Sequence, residues 1–525
     1  MTYDPETSAS ASTPPVAPNT GTLPEGAQAT PAPPAEPPQA LLDFMVREWA
    51  PGPGTPEVIV HAEAFAARRR ALSKLFPGEI LVIPTGHEQV RANDTNFRFR
   101  PGSDFYYLTG NVEPDCVLVL EPQKGGGHRD VLFVEPNPGR SDKTFYTDRV
   151  KGELWVGPRL GVEQSRVRFG VHECRELPGL GAYLEGLVSR CPDVPAAPRR
   201  LLRGLSPVAD QTLDDPAGRG EGDKALAQAL SEMRLLKDAA EVKELRTAVA
   251  ATQRGFEDVI RGLGPWRREE GPVLRRKVRS EREVEGIFYV RARVEGFDVG
   301  YGTIAAAGAH ACTLHWTRND GAVKPGELLL LDAGVELETL YTADITRTLP
   351  VNGKFSEAQR KVYALVLEAQ KAAFAEVRPG RDFLEPNRAA MRVLAEGLEK
   401  LGVLPSAKEA LREDRQLFRR YTLHNVSHML GLDVHDCAQA RQQTYRFGKL
   451  RPGMVLTVEP GLYFQADDLT VPEELRGIGV RIEDDLLVTE DGHVNLSASI
   501  PSDPDAVEAW MASLWEEDQA AHRAS

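Results

Sequence analysis

The stretches LLLLDAG (residues 328–334) and ADITRT (residues 343–348) predict two neighbouring strands that organise the second half of the chain. Each strand carries one acid, Asp332 after an aliphatic run and Asp344 inside an apolar segment. An aspartate at a strand end is often only a turn or helix cap, and this is the alternative for Asp332 taken alone. A charge within an apolar strand is costly unless it is neutralised, so the two acids together indicate a metal site. Carboxylate oxygens suit hard divalent ions such as Mn²⁺ and Mg²⁺.

Three later phrases each add one candidate ligand: His428 in HNVSHMLGLDVHD, Glu459 in MVLTVEPGLY and Glu483 in GVRIEDD. Four carboxylates and one imidazole in one place would repel each other strongly if no cation lay between them. Two divalent metal ions would remove that repulsion and would also supply a nucleophile for hydrolysis. The five residues therefore predict a two-metal hydrolytic site.

Histidines are concentrated near these candidate ligands. His424, His428 and His435 fall within one short apolar segment, although the whole chain has only 11 histidines. A lone core histidine is usually structural, but this cluster indicates one metal ligand beside others that orient substrate or shuttle protons. His315, in TLHWT, is more typical of a structural residue when it is considered without its context.

Alternation in the strand IGVRIEDDLLV places Glu483 and Asp485 on one face and Asp484 on the other. Arg481 shares the face of Glu483, so we expect it to hold that carboxylate in place. Asp484 and Asp485 could also simply face solvent.

Composition limits the classes of protein to consider. A chain of 525 residues predicts two folded domains, and its net charge of −14 argues against nucleic acid as a partner. The apolar runs are too short to cross a bilayer, and the N-terminus MTYDPETSAS lacks the pattern of a secretory signal, so no membrane association is expected. Five scattered cysteines without a CxxC pair favour reduced thiols and a cytoplasmic location over a disulfide framework.

Four segments follow from the pattern along the chain: a disordered Pro/Ala-rich tail at 1–40, an α/β domain at 41–222, a second domain at 223–505, and a polar, frayed C-terminal tail at 506–525. In the first domain, FAARRRALSKLF predicts a helix and EILVIPTG a strand. Residues 192–222, rich in Pro, Gly, Asp and Arg, predict an irregular excursion.

The second domain begins with one long amphipathic helix at 224–262, followed by a basic inserted loop at 262–279. The region 300–350 is predicted to be rich in strands, residues 356–418 to form a helical hairpin, and residues 421–490 to return to strands and loops.

Together, these phrases resemble the metallopeptidase family with the pita-bread fold, and within it the aminopeptidase P type, over roughly residues 60–500. FRPGSDFYYLTGNVEPD, at 99–115, also resembles the domain that precedes the catalytic one in that family. The resemblance implies an α/β N-terminal domain followed by an α+β pita-bread catalytic domain. It implies two metal ions, with Mn²⁺ expected, and the ligands Asp332, Asp344, His428, Glu459 and Glu483. In that arrangement Asp344 and Glu483 bridge both ions.

The resemblance also implies substrate-handling residues. His315, His424 and His435 match the family's substrate histidines, and Trp155, in LWVGPRLG, matches a tryptophan that reaches toward the active site in bacterial members. The substrates implied are small peptides with proline in the second position, and a homodimer or homotetramer is expected.

A mechanism follows as a hypothesis: a hydroxide that bridges the metals attacks the carbonyl before proline, with His435 helping to stabilise the oxyanion. Glu459 would carry the proton to the leaving nitrogen, while His315, His424 and Tyr463 would receive the proline ring. Prolidase, which cleaves Xaa-Pro dipeptides, is the main alternative. Creatinase-like hydrolases lack ligands that are kept here, and a non-catalytic binding module would also have lost some of them.

Overall fold

The computed structural model describes residues 37–50, 54–93, 95–189, 199–214, 220–265, 267, 271–272 and 276–524. They belong to two compact units: a smaller one within Met1–Gly52 and Pro138–Arg159, and a larger one within Pro53–Asn137 and Leu160–Ser525.

The helices, in chain order, are α1 (Gln39–Met45), α2 (Ala62–Leu75), α3 (Ser103–Thr109), α4 (Thr144–Thr147), α5 (Glu153–Val156), α6 (Val162–Phe169), α7 (Leu180–Ser189), α8 (Pro207–Thr212), α9 (Glu221–Arg234), α10 (Ala239–Leu263), α11 (Glu281–Glu295), α12 (Glu357–Glu376), α13 (Glu385–Lys400), α14 (Ala407–Ala410) and α15 (Pro504–Ala524). Short 3-10 turns occur at Leu177–Gly179, Gly308–Cys312, Leu417–Arg420 and Glu473–Leu475. Within the described ranges, none of the helices is long and apolar enough to span a bilayer.

The strands are β1 (Ile80–Pro84), β2 (Val90–Ala92), β3 (Thr95–Asn96), β4 (Val117–Pro122), β5 (His128–Val134), β6 (Glu173–Glu176), β7 (Arg199–Leu201), β8 (Asp298–Val299), β9 (Ile304–Ala307), β10 (Leu328–Ala333), β11 (Val335–Glu336), β12 (Ile345–Pro350), β13 (Val455–Val458), β14 (Gly461–Tyr463), β15 (Gly479–Arg481), β16 (Asp484–Val488) and β17 (His493–Asn495).

A five-stranded mixed sheet with the order β6-β5-β4-β1-β7 forms the N-terminal part of the larger unit. Its side chains alternate between two hydrophobic clusters, with Leu81 in one and Val82 in the other. Helix α2 packs on the first side through Leu72, and α7 packs on the second through Leu184. The predicted helix at FAARRRALSKLF, the strand at EILVIPTG and the α/β class of this domain are confirmed.

Two small sheets, β12-β10-β9 and β13-β16-β17, frame the centre of the second half of the chain. The predicted neighbouring strands are confirmed, because β10 and β12 pair antiparallel with Asp332 opposite Thr346. An isolated bridge from Thr346 to Glu483 joins this hairpin to the chain just before β16. The two sheets therefore meet where the candidate ligands lie.

The helical hairpin predicted at 356–418 is confirmed as α12 and α13, although α13 already ends at Lys400. The single helix predicted at 224–262 is wrong, because α9 ends at Arg234 and α10 begins at Ala239. The side chain of Asp238 accepts a hydrogen bond from the backbone N–H of Glu241, and the Glu241 side chain accepts one from the N–H of Asp238. This capping box starts a new helix at that point.

The frayed C-terminal tail predicted at 506–525 is also wrong, because residues 506–524 belong to α15, while Ser525 lies outside the described residues. Val507, Met511 and Leu514 repeat at helical spacing and are buried in the core. The Trp515 indole N–H donates to the carbonyl of Ile260 at 2.7 Å, which ties α15 to α10. The many polar residues of this helix dominate its composition, so composition alone does not reveal the buried apolar face.

Several predicted irregular segments lie partly outside the described residues. Of the predicted tail, residues 1–36 lie outside them, and α1 begins at Gln39. The excursion at 192–222 contains β7 and α8 in its described part, which corrects the expectation of wholly irregular structure. Between α10 and α11, the described residues of the 262–279 loop form no helix.

The smaller unit contains α1, α4 and α5. The rings of Trp49 and Phe145 meet edge to face with centroids 5.3 Å apart, and the guanidinium of Arg140 lies over both rings. In α5, the Trp155 indole N–H donates to the carbonyl of Tyr146 at 2.7 Å, and half of the Trp155 surface is exposed.

Candidate metal centre and active site

A cavity of about 650 Å³ opens where the two small sheets meet. The predicted site residues that line it are Asp332, Asp344, His428, Glu459, Glu483, His315, His424, His435 and Arg481. The fold thus brings together side chains that lie up to 168 positions apart in sequence, as 483 − 315 shows. Tyr463 reaches this group through its hydroxyl, whereas Trp155 belongs to the smaller unit.

The strands determine where the acids lie. Asp332 is the penultimate residue of β10, and Asp344 immediately precedes β12, so both acids lie at the same end of the hairpin. Glu483 pairs with Thr346 in the isolated bridge, and its carboxylate accepts a hydrogen bond from the Thr346 hydroxyl at 2.6 Å. The backbone pairing therefore places three acids at one edge.

His428 faces this acidic edge through its Nε2 atom. Asp344, His428 and Glu483 each offer one ligand atom, and these atoms lie within 4.8 Å of one another. The Nε2 atom is 3.3 Å from Asp344 Oδ2 and 3.5 Å from Glu459 Oε1. Its Nδ1 lies 3.2 Å from the carbonyl oxygen of Met429, and a carbonyl can only accept. A neutral His428 therefore carries its proton on Nδ1 and turns a bare Nε2 lone pair toward carboxylates, an arrangement that a metal cation would stabilise.

Burial raises the pKa of Glu483 and of Asp332, and the negative charge of Asp344 raises both further. The pKa of Glu459 rises to about 8, mainly because of burial. For His428, burial opposes the charged form, but the hydrogen bond to Asp344 and the charge of Glu459 raise its pKa to about 9. A crowded, desolvated group of acids is a favourable place for divalent cations.

Arg481 compensates part of this charge, but not at the predicted position. Its guanidinium pairs with Asp332, and it also donates to the Tyr463 hydroxyl at 3.0 Å and the Thr346 hydroxyl at 3.2 Å. The shared face predicted for Arg481 and Glu483 is observed, since both line the cavity. The direct carboxylate partner of Arg481 is Asp332, and Arg481 reaches Glu483 through the Thr346 hydroxyl, which donates to that carboxylate at 2.6 Å.

Asp484 and Asp485 are both buried, so the option that they face solvent is wrong. Their predicted opposite directions are observed, since Asp485 accepts a hydrogen bond from the N–H of Asp344 and Asp484 pairs with Arg347 at 2.8 Å. Arg347 is fully buried, and its guanidinium also donates to the carbonyls of Glu483, Ile500 and Pro501. Arg347 therefore joins the backbone at Glu483 to the backbone at residues 500 and 501.

The remaining histidines complete the cavity wall. His424 Nε2 lies 2.9 Å from the Tyr463 hydroxyl, and its Nδ1 lies 3.5 Å from Glu459 Oε2. Burial, together with the nearby charge of Arg481, lowers the pKa of His424 to about 4. The ring of His435 packs edge to face on His428 with centroids 4.3 Å apart. His315 is exposed and lines the same cavity, which favours a role in the site over the purely structural one.

Two polar residues of the site are absent from the sequence prediction. The Tyr301 hydroxyl donates to Asp332 at 2.7 Å, and no phrase in the sequence marks that tyrosine. Thr346 bonds to Glu483 and to Arg481, and its place in ADITRT next to Asp344 was an available signal. Oxygen-rich donors with one imidazole suit a hard or borderline divalent metal, so the residues present fit such a group.

Comparison with known proteins agrees with this geometry. Residues 243–490 match metallopeptidase family M24, and residues 65–194 match the N-terminal domain of aminopeptidase P. Xaa-Pro aminopeptidase 1 of Streptomyces coelicolor is 51% identical over 460 residues, which cover 87% of this chain and 89% of that protein.

Solved structures of the Escherichia coli enzyme are similar as well. Aminopeptidase P with the inhibitor Pro-Leu aligns with a TM-score of 0.75 and 32% identity, covering 88% of this chain and 100% of that one. The zinc-substituted E. coli enzyme in complex with product aligns with a TM-score of 0.74 and 32% identity, covering 87% and 99%. The chain therefore belongs to metallopeptidase family M24 and is a metal-dependent hydrolase of the aminopeptidase P type.

Proposed function

We propose that this protein releases the N-terminal residue from small peptides with proline in the second position, using two divalent metal ions, with Mn²⁺ as the proposed metal. The observation that carries the proposal is that five acidic or imidazole ligands surround one cavity together with three further histidines and the hydroxyl of Tyr463. Xaa-Pro aminopeptidase 1 of Streptomyces coelicolor is similar over most of both chains, which supports this substrate class over the dipeptides of a prolidase.

The residues that would hold the metals are Asp332, Asp344, His428, Glu459 and Glu483. When bound, such a metal pair supplies Lewis acidity and lowers the pKa of water toward neutrality. The mutual repulsion of these buried carboxylates and the orientation of His428 support the assignment.

Glu459 is suited to move the proton. Its two oxygens lie 3.5 Å from His428 Nε2 and 3.5 Å from His424 Nδ1, so it lies between the metal-facing and substrate-facing groups. Because one of its oxygens faces each histidine, this buried carboxylate can take up a proton and pass it on. In the proposed reaction it takes a proton from the attacking water and delivers it to the proline nitrogen, which must be protonated to leave.

The substrate would lie along the histidine wall. His424 and the Tyr463 ring, with centroids 5.7 Å apart, would receive the proline ring together with His315. Arg481 fixes the Tyr463 hydroxyl at 3.0 Å, so that this hydroxyl can donate to His424. His435 would donate to the developing oxyanion.

At its amino end, the substrate would place its free α-amine near the buried carboxylate of Asp332. Trp155 is a further proposed substrate contact, and this proposal rests on the sequence resemblance alone.

A Mn²⁺-dependent assay with three substrates tests the proposal. We expect cleavage of an Xaa-Pro-Xaa tripeptide before proline, little cleavage of the N-acetylated tripeptide, and slow cleavage of the Xaa-Pro dipeptide, with products identified by mass spectrometry. Efficient hydrolysis of the dipeptide without hydrolysis of the tripeptide would instead establish a prolidase.

Assembly, location and exact domain limits remain proposals from the sequence. A homodimer or homotetramer is testable by light scattering of the purified protein, and the limits 41–222 and 223–505 by limited proteolysis. Cys116, Cys174, Cys312 and Cys437 are buried free thiols, which supports the proposed cytoplasmic location because reduced cysteines persist there.

A further inference from the structure

Outside the cavity, one buried carboxylate collects four hydrogen bonds. Glu281 is the first residue of α11, and none of its surface is exposed. Its Oε1 accepts from the N–H of Ala307 at 2.8 Å and lies 2.7 Å from His310 Nδ1. Its Oε2 accepts from the Trp316 indole at 2.8 Å and from the N–H of Gly321 at 2.6 Å. Four donors on one buried carboxylate form a strong and geometrically demanding arrangement.

All four donors lie on one segment of chain, residues 307–321. That segment also carries His315, together with Leu314 and Thr317, into the wall of the active cavity. Glu281, which does not line the cavity, therefore binds this segment at positions before and after His315.

Packing around the carboxylate leaves little freedom. The rings of His310 and Trp316 stack with centroids 3.9 Å apart and an interplanar angle of 25°. A Cβ atom at Gly321 would lie 2.6 Å from the His310 ring and 2.8 Å from Glu281 Oε2, so only glycine permits this approach. Residues 307–321 therefore pack against Glu281 with little room for movement.

We propose that Glu281 is a positioning residue for His315. It lies outside the cavity lining and acts by fixing the segment that presents the His315 imidazole to the peptide. The role rests on the proposed function, since His315 is a substrate residue only if the cavity binds a peptide.

Glu281→Gln tests the role with almost no change in volume. An amide has one acceptor oxygen and one NH₂ donor, so it can satisfy two of the four donors and turns a donor toward the other two. The matched control is Glu241→Gln, because Glu241 is also a buried glutamate in the first turn of a helix. Its carboxylate accepts from Tyr341 and Asp238 and does not line the cavity.

Steady-state kinetics on an Xaa-Pro-Xaa tripeptide would compare wild type, Glu281→Gln, His315→Ala, the double variant and the control. We expect Glu281→Gln to lower kcat/KM about tenfold or more, mainly through KM, with metal content unchanged. In the His315→Ala background the same change should cost less than about twofold, because the residue it positions is already gone. Glu241→Gln should leave kcat/KM near the wild-type value.

Losses that multiply in the double variant, an equal loss in the control, or a parallel loss of bound metal would each overturn the proposal. If Glu281→Gln does not fold, Trp316→Phe removes one donor and keeps the stack on His310, and the same non-additivity with His315→Ala is expected. A wild-type protein that does not cleave the tripeptide would refute the proposed function itself, which separates the two failures.

Discussion

Lys237 and Asp436 form a buried ion pair whose loss should be costly. Lys237 Nζ lies 2.7 Å from Asp436 Oδ2, and both side chains are only 1% exposed. Burial opposes the charge of Lys237, but the charge of Asp436 outweighs it and raises the pKa of the lysine. Burial likewise opposes the charge of Asp436, yet Lys237 and Arg234 together lower the pKa of the aspartate. The pair is therefore ionised in the folded protein.

Lys237→Met leaves Asp436 charged, buried and without its closest partner. Removing one member of a buried pair costs about 3–5 kcal/mol, and we expect the lower end because Arg234 Nε remains 3.3 Å from Asp436 Oδ1. Adding Asp436→Asn removes the stranded charge, so the double variant should be more stable than Lys237→Met alone. Urea denaturation measures both, with the midpoint and slope fitted separately.

The control is Lys361→Met, which removes an ion pair of similar length on the surface. Lys361 and Glu357 lie 2.8 Å apart, but their side chains are 58% and 84% exposed, so the denaturation midpoint should not change measurably. If Lys237→Met shifts the midpoint no further than this control, or if the double variant is the less stable one, the argument from burial is wrong.

Asp344→Ala should abolish bound metal and activity together, and activity that persists without metal in elemental analysis would contradict a metal-dependent reaction. Tyr463→Phe should lower kcat/KM about tenfold with metal content intact, because its hydroxyl bonds to His424; an unchanged value would remove that contact from the mechanism. Burial raises the pKa of Glu336 from 4.5 to about 7, although its partner Arg100 opposes the shift. Between these two pH values the folded protein keeps a proton on Glu336 that the unfolded chain has released. That stabilisation is complete below the unfolded pKa and is lost as pH rises through 7. Glu336→Gln should therefore reduce the fall in unfolding free energy between pH 5 and pH 8 by up to about 3 kcal/mol, a difference that denaturation curves at the two pH values would detect or exclude.

The metal centre was the most predictable part of the molecule, because each candidate ligand lies in or beside an apolar strand. Asp332 and Asp344 had to lie close together once β10 and β12 paired, because both acids lie at the same end of this hairpin. The partner of Arg481 could not be predicted in this way. Asp332 lies 149 positions before Arg481, and alternation along one strand does not show which distant side chain will lie beside it.

Helix ends and the C-terminus show a second limit. Periodicity runs without interruption across residues 224–262, but tertiary contacts of Lys237 and the cap at Asp238 divide the helix. The many polar residues of α15 suggested fraying, but the row of buried apolar side chains that includes Met511 holds this helix on the core. The cap joins Asp238 to Glu241, three positions apart, and was readable in the sequence. The contact of Lys237 with Asp436 and the burial of Met511 depend on residues far apart in the chain.

The hydrogen bonds of Arg347 to the far end of the chain determine when the site can be assembled during folding. Two of the hydrogen bonds that its guanidinium donates go to the carbonyls of residues 500 and 501. Glu483, which pairs with the hairpin, lies more than one hundred positions after Asp344 in the sequence. A chain that reaches only to the end of β12 carries Asp332 and Asp344 without His428, Glu459 and Glu483. We therefore expect the five candidate metal ligands to come together late in folding, once the chain up to residue 501 is in place.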